Sequence, residues 1–207
     1  MTEPTWLTWA KELQALAQSG LAYCQDDYDI ERFKRIRAIS VEMLSQHTAD
    51  LDQTTIHDLF ASETGYVTPK VDVRAIVFQD DQLLMVQEKA DGNWALPGGW
   101  GDIGLTPAEV AVKEVEEESG LEVKATRLLG VIDKKCHPHP PSAFHTYKIL
   151  IQCDVVGGET KQGLETSDVG FFAEEQLPPL SVGRNTESQL RMIFDYWRDP
   201  ERPAYFD

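Results

Sequence analysis

The chain has 207 residues, 42% hydrophobic and 26% charged, a balance that predicts a folded protein and excludes disorder as its main state. Thirty-five acids against 19 bases give a formal net charge of −16, which leaves no basic field to hold duplex DNA or an anionic membrane. No apolar run approaches the ~18–20 residues of a bilayer span, and Met1 to Trp9 lacks the pattern of a signal peptide. Cys24, Cys136 and Cys153 show no metal-ligand pairing, so a cytoplasmic protein with reduced thiols is expected.

In chain order, Trp6, Ala10, Leu13 and Ala17 recur at helical spacing until Gly20, which reads as a stop. Asp29 reads as the cap of a second helix through about Gln46, with Ile30, Phe33, Ile36, Met43 and Leu44 on one face. Thr55 and Asp58 suggest a capping box for a third short helix, Ile56 to about Ala61. These helices form a small α-helical region, 1–66, with five bases and eleven acids. Near 66 the period changes from helical to alternating. Val71, Val73, Ala75 and Val77 face one way and Asp72, Arg74, Ile76 and Phe78 the other; a turn at Asp80-Asp81 leads into a strand from Leu83 to Glu88.

Further elements are expected at Trp94–Leu96, at a helix from Pro107 to Ser119, and at strands near Val123–Asp133, Phe144–Val155 and Val169–Phe172. A turn is placed at Gly157-Gly158 and a closing helix from about Thr186 to Trp197. Residues 67–207 thus read as a mixed sheet with flanking helices.

The chemistry concentrates in residues 96–121. Thr106 caps, Pro107 suits the first helical position, Glu109 closes the capping box and Gly120 fits just past the end. Ala108, Ala111, Val112 and Val115 form one apolar stripe. At about 100° per residue Glu114, Glu117 and Glu118 then share one edge of the helix. Like charges so close repel unless solvated or neutralised, and Gly98, Gly99, Gly101 and Gly104 ahead of the helix allow backbone to approach a ligand. A carboxylate trio behind a glycine-rich loop suits a hard cation.

The span Gly99 to Leu121 resembles the signature of the Nudix hydrolases. Glu114, Glu117 and Glu118 match the family's metal-binding glutamates, Gly98 and Gly99 its double glycine, Gly120 its closing glycine, and Val115 and Leu121 its apolar positions. Two positions depart: Leu105 stands where the family has glutamate, and Lys113 where it has arginine. The resemblance implies an α/β/α sandwich around a mixed sheet, with Mg²⁺ (or Mn²⁺) as cofactor. It also implies cleavage of a nucleoside diphosphate linked to X at its pyrophosphate. The N-terminal helices, with Gly20-Leu-Ala-Tyr-Cys24 and Tyr28-Asp-Ile-Glu-Arg-Phe33, look like the accessory region of a subset acting on ADP-ribose or CDP-choline. Alternatives are hydrolysis of terminal phosphates on nucleotides or RNA, and a nucleotide sensor without turnover.

Within that frame the expected catalytic residues are Glu117, Glu118, Glu165 and Asp168, the last two as alternative bases ahead of a strand. Arg74, Gly98, Gly99, Lys135 and His145 are the expected substrate contacts, and Glu114, Glu117 and Glu118 the metal ligands. His137, His139 and His145 alternate with three prolines, which holds ligands apart on extended backbone and argues against a zinc cluster. Trp94, Trp100, Phe144 and Tyr147 are open to two readings, base stacking or core. Large apolar residues in a helical region too small for its own core predict a homodimer built largely through residues 1 to about 62.

Overall fold

The computed structural model describes residues 3–47, 56–57 and 61–207, which divide into two compact units. One comprises the described part of Met1–Pro69 with Pro141–His145, the other Lys70–Pro140 with Thr146–Asp207.

In the first unit, α1 (Thr5–Tyr23) packs on α2 (Asp27–His47) around Leu7, Ala10, Val41, Leu44, Ile56 and Ala61, with Trp6 stacked on His47 at 4.2 Å. Gly20 is not a stop. The helix runs on to Tyr23, and a Cβ at Gly20 would lie 2.4 Å from the Phe33 ring, so the glycine is there for close approach of the two helices. The cap of α2 is also displaced from the expected residue. Asp26 accepts from the backbone N–H of Tyr28 and Asp29 at 3.0 and 3.2 Å, whereas Asp29 is already inside the helix and pairs with Arg32. Ile56 and His57 are helical; the Thr55–Asp58 capping box lies outside the described residues.

The second unit is built on a mixed sheet. β1 (Lys70–Gln79) turns through Asp80 and Asp81, at φ 50° and 60°, into antiparallel β2 (Gln82–Glu88). Two consecutive left-handed residues are what a two-residue hairpin requires, and aspartate tolerates them. β3 (Trp94–Ala95) and β7 (Thr166–Phe172) pair with β2, and β4 (Gly98–Trp100) with β1. β6 (Thr146–Gly158) runs parallel to β1 and antiparallel to β5 (Leu121–Asp133), and β8 (Tyr205–Phe206) adds to β5. Gly157 and Gly158 are paired with Glu122 and Leu121, so the turn expected there is the end of a strand instead. β4 and β8, of three and two residues, are too short to show a period.

Each face of the sheet carries one helix. Val73, Ala75, Val77 and Leu84 pack against Val110, Ala111 and Val115 of α3 (Pro107–Ser119). Ile76, Leu83, Met85, Leu129 and Leu150 pack against Leu190, Ile193 and Phe194 of α4 (Glu187–Arg198). Burying one such side chain stabilises by about 1.5–3 kcal/mol, so α3 is held firmly enough to fix the direction of its polar edge. The second unit is thus an α/β/α sandwich, and the first is a small α-helical unit.

Candidate active site

Both ends of α3 are locally specified. Thr106 Oγ1 accepts from Glu109 N while Glu109 accepts from Thr106 N at 2.8 Å, and Gly120 closes the helix at φ 74°. β4 then passes directly under the acidic edge. A Cβ on Gly98, at φ 145°, would stand 2.1 Å from the Val73 carbonyl oxygen, so glycine is sterically required there, and one on Gly99 would stand 2.8 Å from Glu114 Oε1 and displace that carboxylate. Gly98 N–H donates to Glu118 Oε2 at 2.9 Å. The two glycines expected to touch substrate therefore first seat the carboxylates.

Burial raises the pKa of Glu118 to about 7; the nearby charges of Glu114 and Glu88 push the same way, against the Gly98 N–H and Arg74. Glu114 is raised as well, by burial and by Glu117 and Asp102, against Lys113 and Arg74. Among the described residues the trio's ion pairs run to Lys113 alone. Its Nζ lies 3.0 Å from Glu117, 4.0 Å from Glu114 and 3.3 Å from Asp102 on the preceding loop. Among the described residues no three metal-ligating side chains converge on one point. The reason is visible in the partners: Glu118 is turned to Gly98 and Glu117 to Lys113. As a donor set the trio still fits a hard divalent cation, with oxygen ligands, mutual repulsion and two carboxylates that burial makes costly to ionise alone. A cation at this edge would compete with the Lys113 ammonium for the Glu117 carboxylate.

Around this edge stand residues that the sequence pattern did not single out. Glu88, 4% exposed at the end of β2, shares the α3 face with Leu84 and Val86, and its Oε1 pairs with Arg184 Nε at 2.7 Å. Its pKa is raised, chiefly by burial, with Asp91 and Glu165 adding to the rise and Arg184 and Arg74 opposing it. The signal was present: an acid at a position where the strand's alternation calls for an apolar residue. Glu165, exposed, sits on the loop that leans on the end of α3. A Cβ on Gly163 of that loop would be 2.2 Å from the Glu117 carbonyl, Thr166 Oγ1 donates to the Glu118 carbonyl at 2.8 Å, and Lys89 N donates to the Glu165 carbonyl at 3.0 Å.

Asp168 is not brought to the trio. It pairs with Gln87 and shares the strand face of Gly170 and Phe172, the face turned away from α3. Arg74 is 6% exposed and already engaged. Its Nε donates to Asp72 at 2.9 Å and its Nη1 to the Leu96 carbonyl at 3.0 Å, although it remains close enough to Glu114, Glu118 and Glu88 to oppose their pKa rises. Lys148, 2% exposed, holds the other Asp72 oxygen; burial and Arg74 push its pKa down to about 8. Asp72 itself is held below the usual carboxylate range, because the two cations overcome the opposing effect of burial.

Lys135 is paired with Asp133 at 3.3 Å and lines a cavity of about 350 Å³ with Tyr147, Cys136, Phe206 and Asp207. The histidines separate. His139 is buried, its ring nitrogens bonded to the Val182 carbonyl at 2.8 Å and to Gln189 Nε2 at 2.9 Å; His137 meets Asp207 at 3.3 Å; His145 groups with the first unit. Trp94 is core, edge-on to Phe172 at 4.7 Å, whereas Trp100 and Tyr147 are exposed.

Comparison with known proteins places this geometry. Residues 68–193 match the model of the NUDIX domain, and residues 4–60 match that of the UDP-X-like, N-terminal oligomerisation domain. The Bacillus subtilis (strain 168) protein "Putative ADP-ribose pyrophosphatase YjhB" is 48% identical over 202 residues, covering 98% of this chain and 97% of that protein. A crystal structure of a UDP-X diphosphatase is 32% identical with a TM-score of 0.64 over 100% of both chains. That of an ADP-ribose pyrophosphatase from Streptococcus suis 89-1591 is 39% identical with a TM-score of 0.59, over 68% of this chain and 100% of the other.

Proposed function

This chain belongs to the Nudix hydrolases, and from that premise we propose that it is a divalent-metal-dependent pyrophosphatase whose substrate is a nucleoside diphosphate linked to X, with ADP-ribose first and CDP-choline second. The observation that carries the metal site is the seating of Glu114, Glu117 and Glu118 on one edge of α3 against the close-approaching glycines Gly98 and Gly99 of β4. The names of the relatives support ADP-ribose or a UDP-linked compound over a triphosphate or capped RNA.

The residues divide the work as follows. Glu114, Glu117 and Glu118 would hold Mg²⁺ or Mn²⁺, which when bound would supply charge neutralisation for the diphosphate and lower the pKa of a water. Arg74, within electrostatic reach of the trio, contributes positive charge on the substrate side. Glu165 is positioned by Thr166 and Lys89 to take a proton from the attacking water, and Glu88 is held by its ion pair with Arg184. With ADP-ribose, water adds to one phosphorus, the bridging P–O bond breaks, and AMP and ribose 5-phosphate leave. A panel of ADP-ribose, CDP-choline, UDP-sugars, triphosphates and capped RNA tests this. The highest kcat/KM is expected on a diphosphate-linked compound; a triphosphate or capped RNA ranking first would overturn it.

The assembly is proposed as a homodimer through the N-terminal helices. Trp9, Leu16 and Tyr23, spaced by seven residues on α1, are 57%, 57% and 70% exposed, on the side opposite Ala10, Gln14 and Ala17. A second copy of the same stripe covers it across a two-fold axis, in keeping with the oligomerisation domain matched there. Light scattering is expected to give twice the chain mass, and Leu16→Glu to give a monomer; a monomeric wild type refutes the dimer. Among the described residues no helix is long and apolar enough to cross a membrane. The proposed compartment is the cytoplasm, where Cys24, Cys136 and Cys153, all free here, remain thiols.

A further inference from the structure

We infer that Asp102 is a positioning residue for the metal site, acting through Lys113 as the partner that receives the lysine when Glu117 turns to the cation. The inference rests on the metal-binding reading of the trio. Lys113 Nζ bridges two elements: Glu117 at 3.0 Å on its own helix, one turn on, and Asp102 at 3.3 Å on the loop between β4 and α3. Glu114 stands at the limit of the same ammonium, 4.0 Å away. An ammonium fixed on Glu117 competes with a divalent cation for that carboxylate. An ammonium with a second carboxylate waiting on its other side does not need to be stripped of its partner when Glu117 moves.

The sequence makes this arrangement necessary. Leu105, where the related signature has glutamate, is partly exposed and offers Lys113 no charge. Asp102, three residues earlier in the loop, supplies the carboxylate from a different backbone position. The Leu105 N–H donates to the Asp102 carbonyl at 3.2 Å, so the two positions belong to one turn. Lysine, a flexible point charge, tolerates the altered direction of approach better than a planar guanidinium would. Lys113 and Leu105 are thus compatible as a pair, with Asp102 supplying the carboxylate.

Direct Mn²⁺ titration of the full-length protein, with free Mn²⁺ followed by electron paramagnetic resonance at low ionic strength, tests the inference without turnover. Because these charges are largely solvated, Asp102→Asn should raise the Mn²⁺ Kd by about three- to fivefold, as expected for exposed pairs. The same substitution in a Lys113→Gln background should change Kd by less than about twofold, since the residue acts through the lysine. Leu105→Glu added to Asp102→Asn should restore the wild-type value, a rescue unavailable to a residue that only shapes the loop. Equal effects of Asp102→Asn with and without Lys113, an effect below about twofold in the wild type, or failure of the rescue each overturn the inference. Failure of the wild type to bind Mn²⁺ would instead refute the reading on which it rests.

Discussion

Two stretches of this chain concentrate residue types that bind metals, and they have been put to opposite uses. In residues 137–145 three histidines alternate with prolines; in residues 114–118 glutamates crowd one helix edge. His139 has both ring nitrogens occupied, by Val182 and Gln189, and burial pushes its pKa down to about 4, so it stays neutral and ties the 137–140 loop to α4 and the segment before it. The glutamates are crowded with like charges, and two have raised pKa values. Ligand-type residues are spent on structure where neutral partners fill their lone pairs, as at His139, and make a candidate site where the fold crowds like charges on one edge.

The contrast breaks most sharply at the trio. Glu117→Gln or Glu118→Gln should lower kcat by a factor of about 10²–10⁴ at saturating Mg²⁺ with circular dichroism unchanged, whereas retention of a third of the wild-type rate would show that these carboxylates are bystanders. Glu165→Gln should lower kcat by about 10–10²-fold with Mn²⁺ binding unchanged, as loss of a positioned base does. An unchanged rate would assign the base elsewhere.

At the histidine stretch the effect should appear in stability instead. His139→Ala removes the ring partner of Gln189 Nε2 and of the Val182 carbonyl and should cost about 2–3 kcal/mol by urea unfolding at pH 7.5. Its folded pKa of about 4 lies below the ordinary 6.5, so the unfolded chain binds the proton first as pH falls. Wild-type stability should therefore be full above about pH 6.5 and decline toward pH 4, and the substitution should flatten that part of the decline. A wild-type curve level across that window would mean that His139 is not held neutral. The smallest effect belongs to Asp168→Asn, on the face away from α3, which should change kcat by less than about twofold and stability by about 0.5 kcal/mol at most. A large loss of rate there would restore it as a base.

Much of this was readable from residues alone, for identifiable reasons. α3 was bounded at both ends because Thr106, Pro107, Glu109 and Gly120 each act locally, within one helical turn. The β1–β2 hairpin was equally plain from its alternation. Gly20 was misread because a stop and a close approach use the same residue, and only the Phe33 ring, contributed from another helix, decides between them. Asp26 rather than Asp29 caps α2 because three acids stand within four positions and spacing does not choose among them. At the site, Glu88 with Arg184 and Asp72 with Lys148 are pairs separated by 76 residues or more, so no local pattern joins them. Asp168 was drawn in by proximity in sequence to Glu165, although one step along a strand reverses the face.

The assignment of the two stretches can be settled in one binding experiment. Mn²⁺ is titrated into the wild type, into Glu114→Gln/Glu117→Gln/Glu118→Gln, and into His137→Ala/His145→Ala, with bound metal counted by the loss of its free resonance signal. Saturable binding is expected in the wild type and in the histidine variant and is expected to vanish in the glutamate variant. Binding that survives removal of all three glutamates, or that is lost with the histidines, contradicts the placement of the metal on α3.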